Sequence, residues 1–233
     1  MESKNISIQG SNNLNINVIT IDLLFNQGHY DIIFEEIDYI KNSEKYYYLN
    51  PYYKVQLEYY YCRVLERRGE NKKAIENLNT LKSKINIGND SYFIIFVLIC
   101  TELYLKWRNG DIKESFQLID NGLKMIKANN FNDFKDENNN ISIPTPTWIG
   151  LFFIIIGNIY NNFGEHELGL FYTKESIKYL QSDNDKHYLA KAKNNIGNYY
   201  SYRCEHDSAY LYFQESLKLA QICNDDFTIS SCP

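Results

Sequence analysis

The chain repeats itself. Ile156–Leu180, IGNIYNNFGEHELGLFYTKESIKYL, aligns without a gap on Ile196–Ala220, IGNYYSYRCEHDSAYLYFQESLKLA, at an offset of 40 residues. Identities include Gly157/Gly197, Asn158/Asn198, Tyr160/Tyr200, His166/His206, Tyr172/Tyr212 and Ser176/Ser216. A period of this length confines a chain to stacked supersecondary units, because one unit is too small to bury its own apolar face and must share a core with its neighbours. The same frame extends upstream as a short turn at Gly28, Gly69, Gly110, Gly164 and Cys204, spaced 41, 41, 54 and 40 residues apart. Apolar residues follow the turns at helical spacing, as in Ala74, Ile75, Leu78 and Leu81, or Phe116, Leu118, Ile119 and Leu123. These patterns predict a helix on each side of every turn, with the turn residue left-handed, a conformation glycine adopts without penalty. Only 4 Pro and 11 Gly in 233 residues leave room for long helices. Five hairpins are expected, over about 14–44, 54–86, 93–128, 148–181 and 187–222.

The 54-residue spacing marks an insertion of about 13 residues beyond the repeat. It falls in the Asn-rich segment 128–147, which carries Pro144 and Pro146. A second break is expected at Pro51. Residues 1–13 are polar and read as a disordered N-terminus ahead of a repeat domain at 14–225. Residues 226–233 read as a tail or a truncated next repeat. No capping helix is expected after Leu217–Ile222, so the array either continues or self-associates through that face.

Composition excludes several functions. At 44% hydrophobic and 23% charged residues, the chain can bury enough surface to fold. A net charge of −5 and a pI near 5.5 argue against a general binder of nucleic-acid backbones. The Tyr-rich run Tyr46–Lys54, followed by Tyr59–Cys62, has no basic track beside it, so core and groove packing is the better reading than base stacking. The most apolar stretches, Tyr92–Cys100 and Trp148–Gly157, are about half the roughly 20 residues of a membrane span, so no membrane is expected as a partner. The five cysteines are odd in number and never in CxxC spacing, which suits buried thiols in a reducing cytoplasm. No HExxH, GxxxxGK[ST], GxSxG or strand-borne GxGxxG occurs, so no catalytic residues and no cofactor are assigned. His166 and His206, each after a glutamate, lack a third ligand at metal spacing and read as solvated turn residues, so no metal is assigned.

The repeat resembles the tetratricopeptide family, whose hairpins carry a Gly within the first helix, a Tyr three residues on, a turn Gly and a small residue five positions later. Gly157, Tyr160, Gly164 and Gly169 match in the fourth repeat, and Gly197, Tyr200 and Ala209 in the fifth, with Cys204 replacing the turn glycine. The second repeat keeps Gly69 and Ala74 but has Cys62 and Leu65 at the first two positions; the third keeps Gly110 and Ser115; the first keeps Gly28. The likeness covers roughly residues 14–222, and the 40-residue period is similar to the kinesin-light-chain and bacterial peptide-sensor types. It implies an all-α, right-handed α-solenoid of five stacked hairpins in which small residues let helices approach closely.

In that family the first helix of each hairpin lines a concave groove. Counting back ten, six, three and two residues from each turn places Tyr59, Arg63, Glu66 and Arg67 there from the second repeat, and Cys100, Tyr104, Trp107 and Arg108 from the third. The fourth gives Ile154, Asn158, Asn161 and Asn162. The fifth gives Asn194, Asn198, Ser201 and Tyr202, with Lys191 one turn earlier. Asn amides can satisfy a peptide backbone, Trp and Arg are enriched at hot spots, and the three arginines favour a carboxylate-bearing partner. Asn158 and Asn198 fit the carboxylate-clamp pattern of chaperone-binding repeats, but its lysines have no clear counterpart. The expected function is a protein-interaction module or scaffold that binds an extended, acidic protein or peptide segment, not an enzyme. The alternative is a peptide- or ligand-sensing regulatory domain.

Overall fold

The computed structural model describes residues 21, 24, 25, 27–84, 92–128, 145–182 and 185–231. The expected disordered segment 1–13 and residues 129–144 of the insertion lie outside the described residues. Every regular element among the described residues is helical. Ile21, Leu24 and Phe25 are helical ahead of Gly28; then come α1 (Tyr30–Lys41), the one-turn α2 (Lys45–Tyr48), α3 (Pro51–Arg67) and α4 (Asn71–Lys84). They are followed by α5 (Tyr92–Asn109), α6 (Ile112–Lys127), α7 (Thr145–Asn162), α8 (His166–Tyr179), α9 (Lys186–Tyr202), α10 (His206–Cys223) and α11 (Asp226–Ser231). Within hairpins α3 packs on α4, α5 on α6, α7 on α8 and α9 on α10; between hairpins α3, α5, α7, α9 and α11 touch in succession. The result is the all-α array of stacked helical hairpins that the period implies.

One turn geometry recurs five times. Gly28, Gly69, Gly110 and Gly164 have φ between 78° and 83°, and Cys204 follows at 59°. In each turn the amide of this residue donates to the carbonyl three residues back, and the next amide donates to the carbonyl five back. Examples are Gly69 to Glu66 at 2.9 Å with Glu70 to Leu65 at 2.8 Å, and Cys204 to Ser201 at 3.0 Å with Glu205 to Tyr200 at 2.9 Å. These bonds satisfy the last carbonyls of the first helix. A side chain in this conformation costs about 1–2 kcal/mol. Cys204→Gly should therefore raise stability by about 0.5–1 kcal/mol after allowance for the looser unfolded chain, read as a higher urea midpoint. A lower midpoint would mean that the Cys204 side chain contributes contacts that outweigh the strain.

Small residues let the paired helices close. A Cβ on Gly157 would collide with Thr173 Oγ1 and stand 3.0 Å from the Gly169 carbonyl oxygen. At the equivalent position of α3, Cys62 is wholly buried and its thiol lies 3.4 Å from the Ala74 carbonyl oxygen. That crossing has room for a small hydrophobe where the later one has none. Ala74, Ser115 and Ala209 are buried on the facing helices. Tyrosines repeat the period too: Tyr160 stacks on Tyr172 at 5.4 Å, and Tyr200 on Tyr212 at 5.5 Å.

Two boundaries differ from the sequence reading. The insertion does not run to Thr147, because α7 begins at Thr145. Proline is tolerated in a first helical turn, where its missing N–H would have no partner. Thr147 is buried there and donates to Asp185 Oδ1 at 2.6 Å, which ties α7 to the start of α9. Nor is the last hairpin bare: α11 follows it and packs on α9 and α10. Asn224, left-handed at φ 52°, ends α10. The buried Asp225 then accepts the Thr228 amide at 3.0 Å and the Thr228 hydroxyl at 2.8 Å, fixing the start of α11.

Candidate functional site

The inner helices enclose a cavity of about 280 Å³. Its wall comes from Tyr59, Arg63 and Arg67 of α3, Tyr104, Trp107 and Arg108 of α5, and Leu151, Ile154, Ile155 and Asn158 of α7. Tyr188, Lys191, Asn194 and Asn195 of α9, Thr228 of α11, and Phe25 and Tyr30 beside the first turn complete it. Both ends of the array therefore meet at one site. Ten of the residues picked out from the sequence converge there: Tyr59, Arg63, Arg67, Tyr104, Trp107, Arg108, Ile154, Asn158, Lys191 and Asn194.

Asn161, Asn162, Asn198 and Tyr202 do not line it. Asn198 and Tyr202 are exposed one and two turns beyond Asn194, and Tyr202 packs against the His166 ring at 4.3 Å. Asn162 is exposed, and Asn161 sits against Gly169 inside its own hairpin. The reason is a drift in register. Measured from the turn, lining residues stand at −10, −6 and −2 in α3 and at −6, −3 and −2 in α5. They stand at −13, −10, −9 and −6 in α7, and at −16, −13, −10 and −9 in α9. Each repeat is rotated on its neighbour, so the cavity crosses the later helices nearer their N-termini, and a fixed offset from the turn overshoots. Asn195, Ile155 and Leu151 belong to the same helical stripe as the chosen residues; a wider stripe would have included them. Phe25, Tyr30, Tyr188 and Thr228 carried no such signal.

The cations are not equivalent. Glu66, only 8% exposed, accepts from Arg108 at 2.7 Å and from the Tyr104 hydroxyl at 2.9 Å, and lies 3.9 Å from Arg67. Of the two arginines expected as carboxylate binders, Arg108 is thus held by a carboxylate of the chain itself, and Arg67 lies at the margin of ion-pair distance from the same group. Lys191 lies 3.6 Å from the buried Asp225. Arg63 differs. Its guanidinium faces the rings of Phe25 at 4.5 Å, Tyr104 at 4.8 Å and Tyr59 at 5.5 Å, and Nη1 donates to the Tyr59 hydroxyl at 2.8 Å. Burial alone would favour losing its proton, but the phenol oxygens of Tyr59, Tyr104 and Tyr188 outweigh it and hold the pKa above the ordinary arginine value. Arg63 is therefore always charged. Across the cavity, the Asn195 amide donates to Asn158 Oδ1 at 2.8 Å, joining α9 to α7.

No group of three or more metal-ligating side chains occurs among the described residues. No helix among them is long and apolar enough to cross a membrane. Cys62 and Cys100 are buried free thiols, and burial pushes both well above the usual thiol pKa.

No family model and no curated protein matches the sequence. Solved structures do match the fold. PlcR of Bacillus thuringiensis, crystallised in complex with the peptide PapR7 and DNA, superposes with a TM-score of 0.69 at 14% identity, over 92% of this chain and 72% of that one. BtubC (BKLC) from P. vanneervenii superposes with a TM-score of 0.53 at 13% identity, over 85% of this chain and 74% of that one. At such identities the likeness concerns architecture alone, and the architecture is a helical-repeat array.

Proposed function

We propose that this chain is a tetratricopeptide-like module that binds a peptide or partner segment on its inner face, and that it acts by binding and not by catalysis. The observation that carries the reading is the cavity itself. Five successive units and both ends of the array contribute aromatic rings, amides and cations to one concavity, the mixture that fixes a peptide by stacking, backbone hydrogen bonds and charge. The buried free thiols suit a cytoplasmic setting. PlcR, with its peptide PapR7, gives the peptide reading an architectural precedent. The same structure contains DNA, so the exclusion of nucleic acid rests on this chain's charge balance alone and gains no support from that neighbour.

A sensing role is the second reading. Phe25 and Tyr30 at one end and Thr228 at the other line the same cavity. An occupant would touch both ends at once, and its binding energy could shift the pitch of the array.

The test is affinity selection from a random peptide library on the immobilised protein, followed by calorimetry of the retained peptides. Trp107→Ala should weaken them by about 2 kcal/mol, the usual mark of a hot spot. Peptides that ignore Trp107→Ala but are lost with Phe171→Asp, at an exposed position on the partner helix α8, would move the binding surface away from the groove.

A further inference from the structure

We infer that the cavity is a receptor for a single carboxylate, delivered by a short peptide and seated against Arg63; the inference rests on the peptide-binding reading above. The donor inventory points there. Among the described residues the Arg63 guanidinium has one hydrogen-bond acceptor, the Tyr59 hydroxyl, and no carboxylate within ion-pair distance. Its Nε is buried with no partner at all. A guanidinium carries five N–H donors in a planar fork that matches a carboxylate. A buried donor without an acceptor costs about 1–3 kcal/mol, so an acceptor from outside is the natural complement. Glu66 stands one turn along α3, but Arg108 and Tyr104 occupy its oxygens, and that arrangement keeps it from closing on Arg63.

The surroundings limit the ligand further. Rings of Phe25, Tyr59 and Tyr104 pack around the half-buried cation and lower the local dielectric, which strengthens a charge-assisted bond. A volume of about 280 Å³ lies just below the roughly 300–1,000 Å³ of ordinary ligand pockets. It holds a terminal residue or two and not a long acidic stretch. Of the four cations lining the cavity, three already lie near Glu66 or Asp225, so Arg63 is the one with no carboxylate of the chain beside it.

A terminal α-carboxylate and an Asp or Glu side chain share this chemistry, and three synthetic hexapeptide pools separate them. The first has free C-termini and lacks Asp and Glu; the second is C-amidated and contains them; the third is C-amidated and lacks them. Affinity selection on the wild-type chain should retain peptides from the first or the second pool, naming the source, and none from the third. Arg63→Gln should weaken the retained peptides at least tenfold, and Arg63→Lys should restore part of the loss. Equal retention of the third pool, with its peptides sensitive to Trp107→Ala, would overturn the carboxylate receptor and leave the groove reading standing. Retention from no pool would overturn both. Because the pools are compared on the wild-type chain, they decide between these outcomes even if Arg63→Gln fails to fold.

Discussion

Trp148→Ala should destabilise the chain by about 3–5 kcal/mol, while Trp107→Ala should change its stability by no more than about 1 kcal/mol. The two tryptophans differ in their surroundings: Trp107 lines the cavity and Trp148 does not. Trp148, in the first turn of α7, is wholly buried and packs edge-on against Tyr59 at 4.9 Å. Its indole N–H has no hydrogen-bond partner among the described residues. Truncation therefore sacrifices packing alone and leaves a cavity between α3 and α7 that the repeats on either side restrain from collapsing. Trp107 is half-buried, touches Tyr104 edge-on at 6.1 Å and carries Arg108 over its face at 5.7 Å, with the groove on its other side. For a chain of this size each kcal/mol moves the midpoint by about 2–4 °C, so Trp148→Ala should melt roughly 6–20 °C early. Thermal denaturation followed by circular dichroism reads the difference. Equal midpoints for the two variants would mean that Trp148 does not pack into the core against Tyr59 as described.

How far a sequence discloses such a molecule depends on whether the determinant is local. The turns are local: a left-handed residue, a glycine in four cases, ends each first helix, and the 40-residue offset carries that reading to Cys204, which composition alone does not reveal. The close crossing at Gly157 is nearly local, because its neighbours Gly169 and Thr173 lie within the same hairpin. The groove is not. Its register depends on how much each repeat rotates on the last, a quantity set by side-chain packing between hairpins, so Asn198 and Tyr202 fall outside it while Asn195 and Tyr188 fall within. The capture of Arg108 by Glu66 spans 42 residues of sequence and has no signature in the spacing of either. The helix α11 leaves no pattern to find, because six residues are too few to display a period. Pro146 misleads for a related reason: proline is a breaker within a helix, but the first helical turn admits it.

Lys41→Met should cost about 3 kcal/mol, and adding Glu58→Gln to it should recover most of that loss. Lys41 Nζ lies 2.6 Å from Glu58 Oε2 and 3.4 Å from Asn77 Oδ1, so one cation ties α1 to both helices of the following hairpin. Glu58 is 1% exposed. The carboxylate also accepts a weak bond from the Cys62 thiol at 3.5 Å. Burial, with this carboxylate nearby, pushes the Tyr46 phenol up to about 12. Removing the lysine strands a buried charge, and stranding one member of a buried pair costs about 3–5 kcal/mol. The lower end applies because the lysine side chain keeps a partial path to water. Glu58→Gln alone should cost about 1 kcal/mol, since the lysine can turn outward and the amide can still hydrogen-bond. The double variant has no charge to strand and should cost only about 1 kcal/mol, so the cycle should yield a coupling of about 3 kcal/mol. Urea denaturation of the four proteins measures it, and strict additivity would show that Glu58 finds its compensation elsewhere. The consequence reaches the cavity. The hairpin that Lys41 fastens carries Phe25 and Tyr30, and Phe25 packs on the Arg63 guanidinium. Loosening that hairpin opens one wall of the groove to water and weakens the charge-assisted bond on which an incoming carboxylate would depend. Lys41→Met should therefore bind the selected peptides less well than its own global stability accounts for, while Lys41→Met with Glu58→Gln regains both.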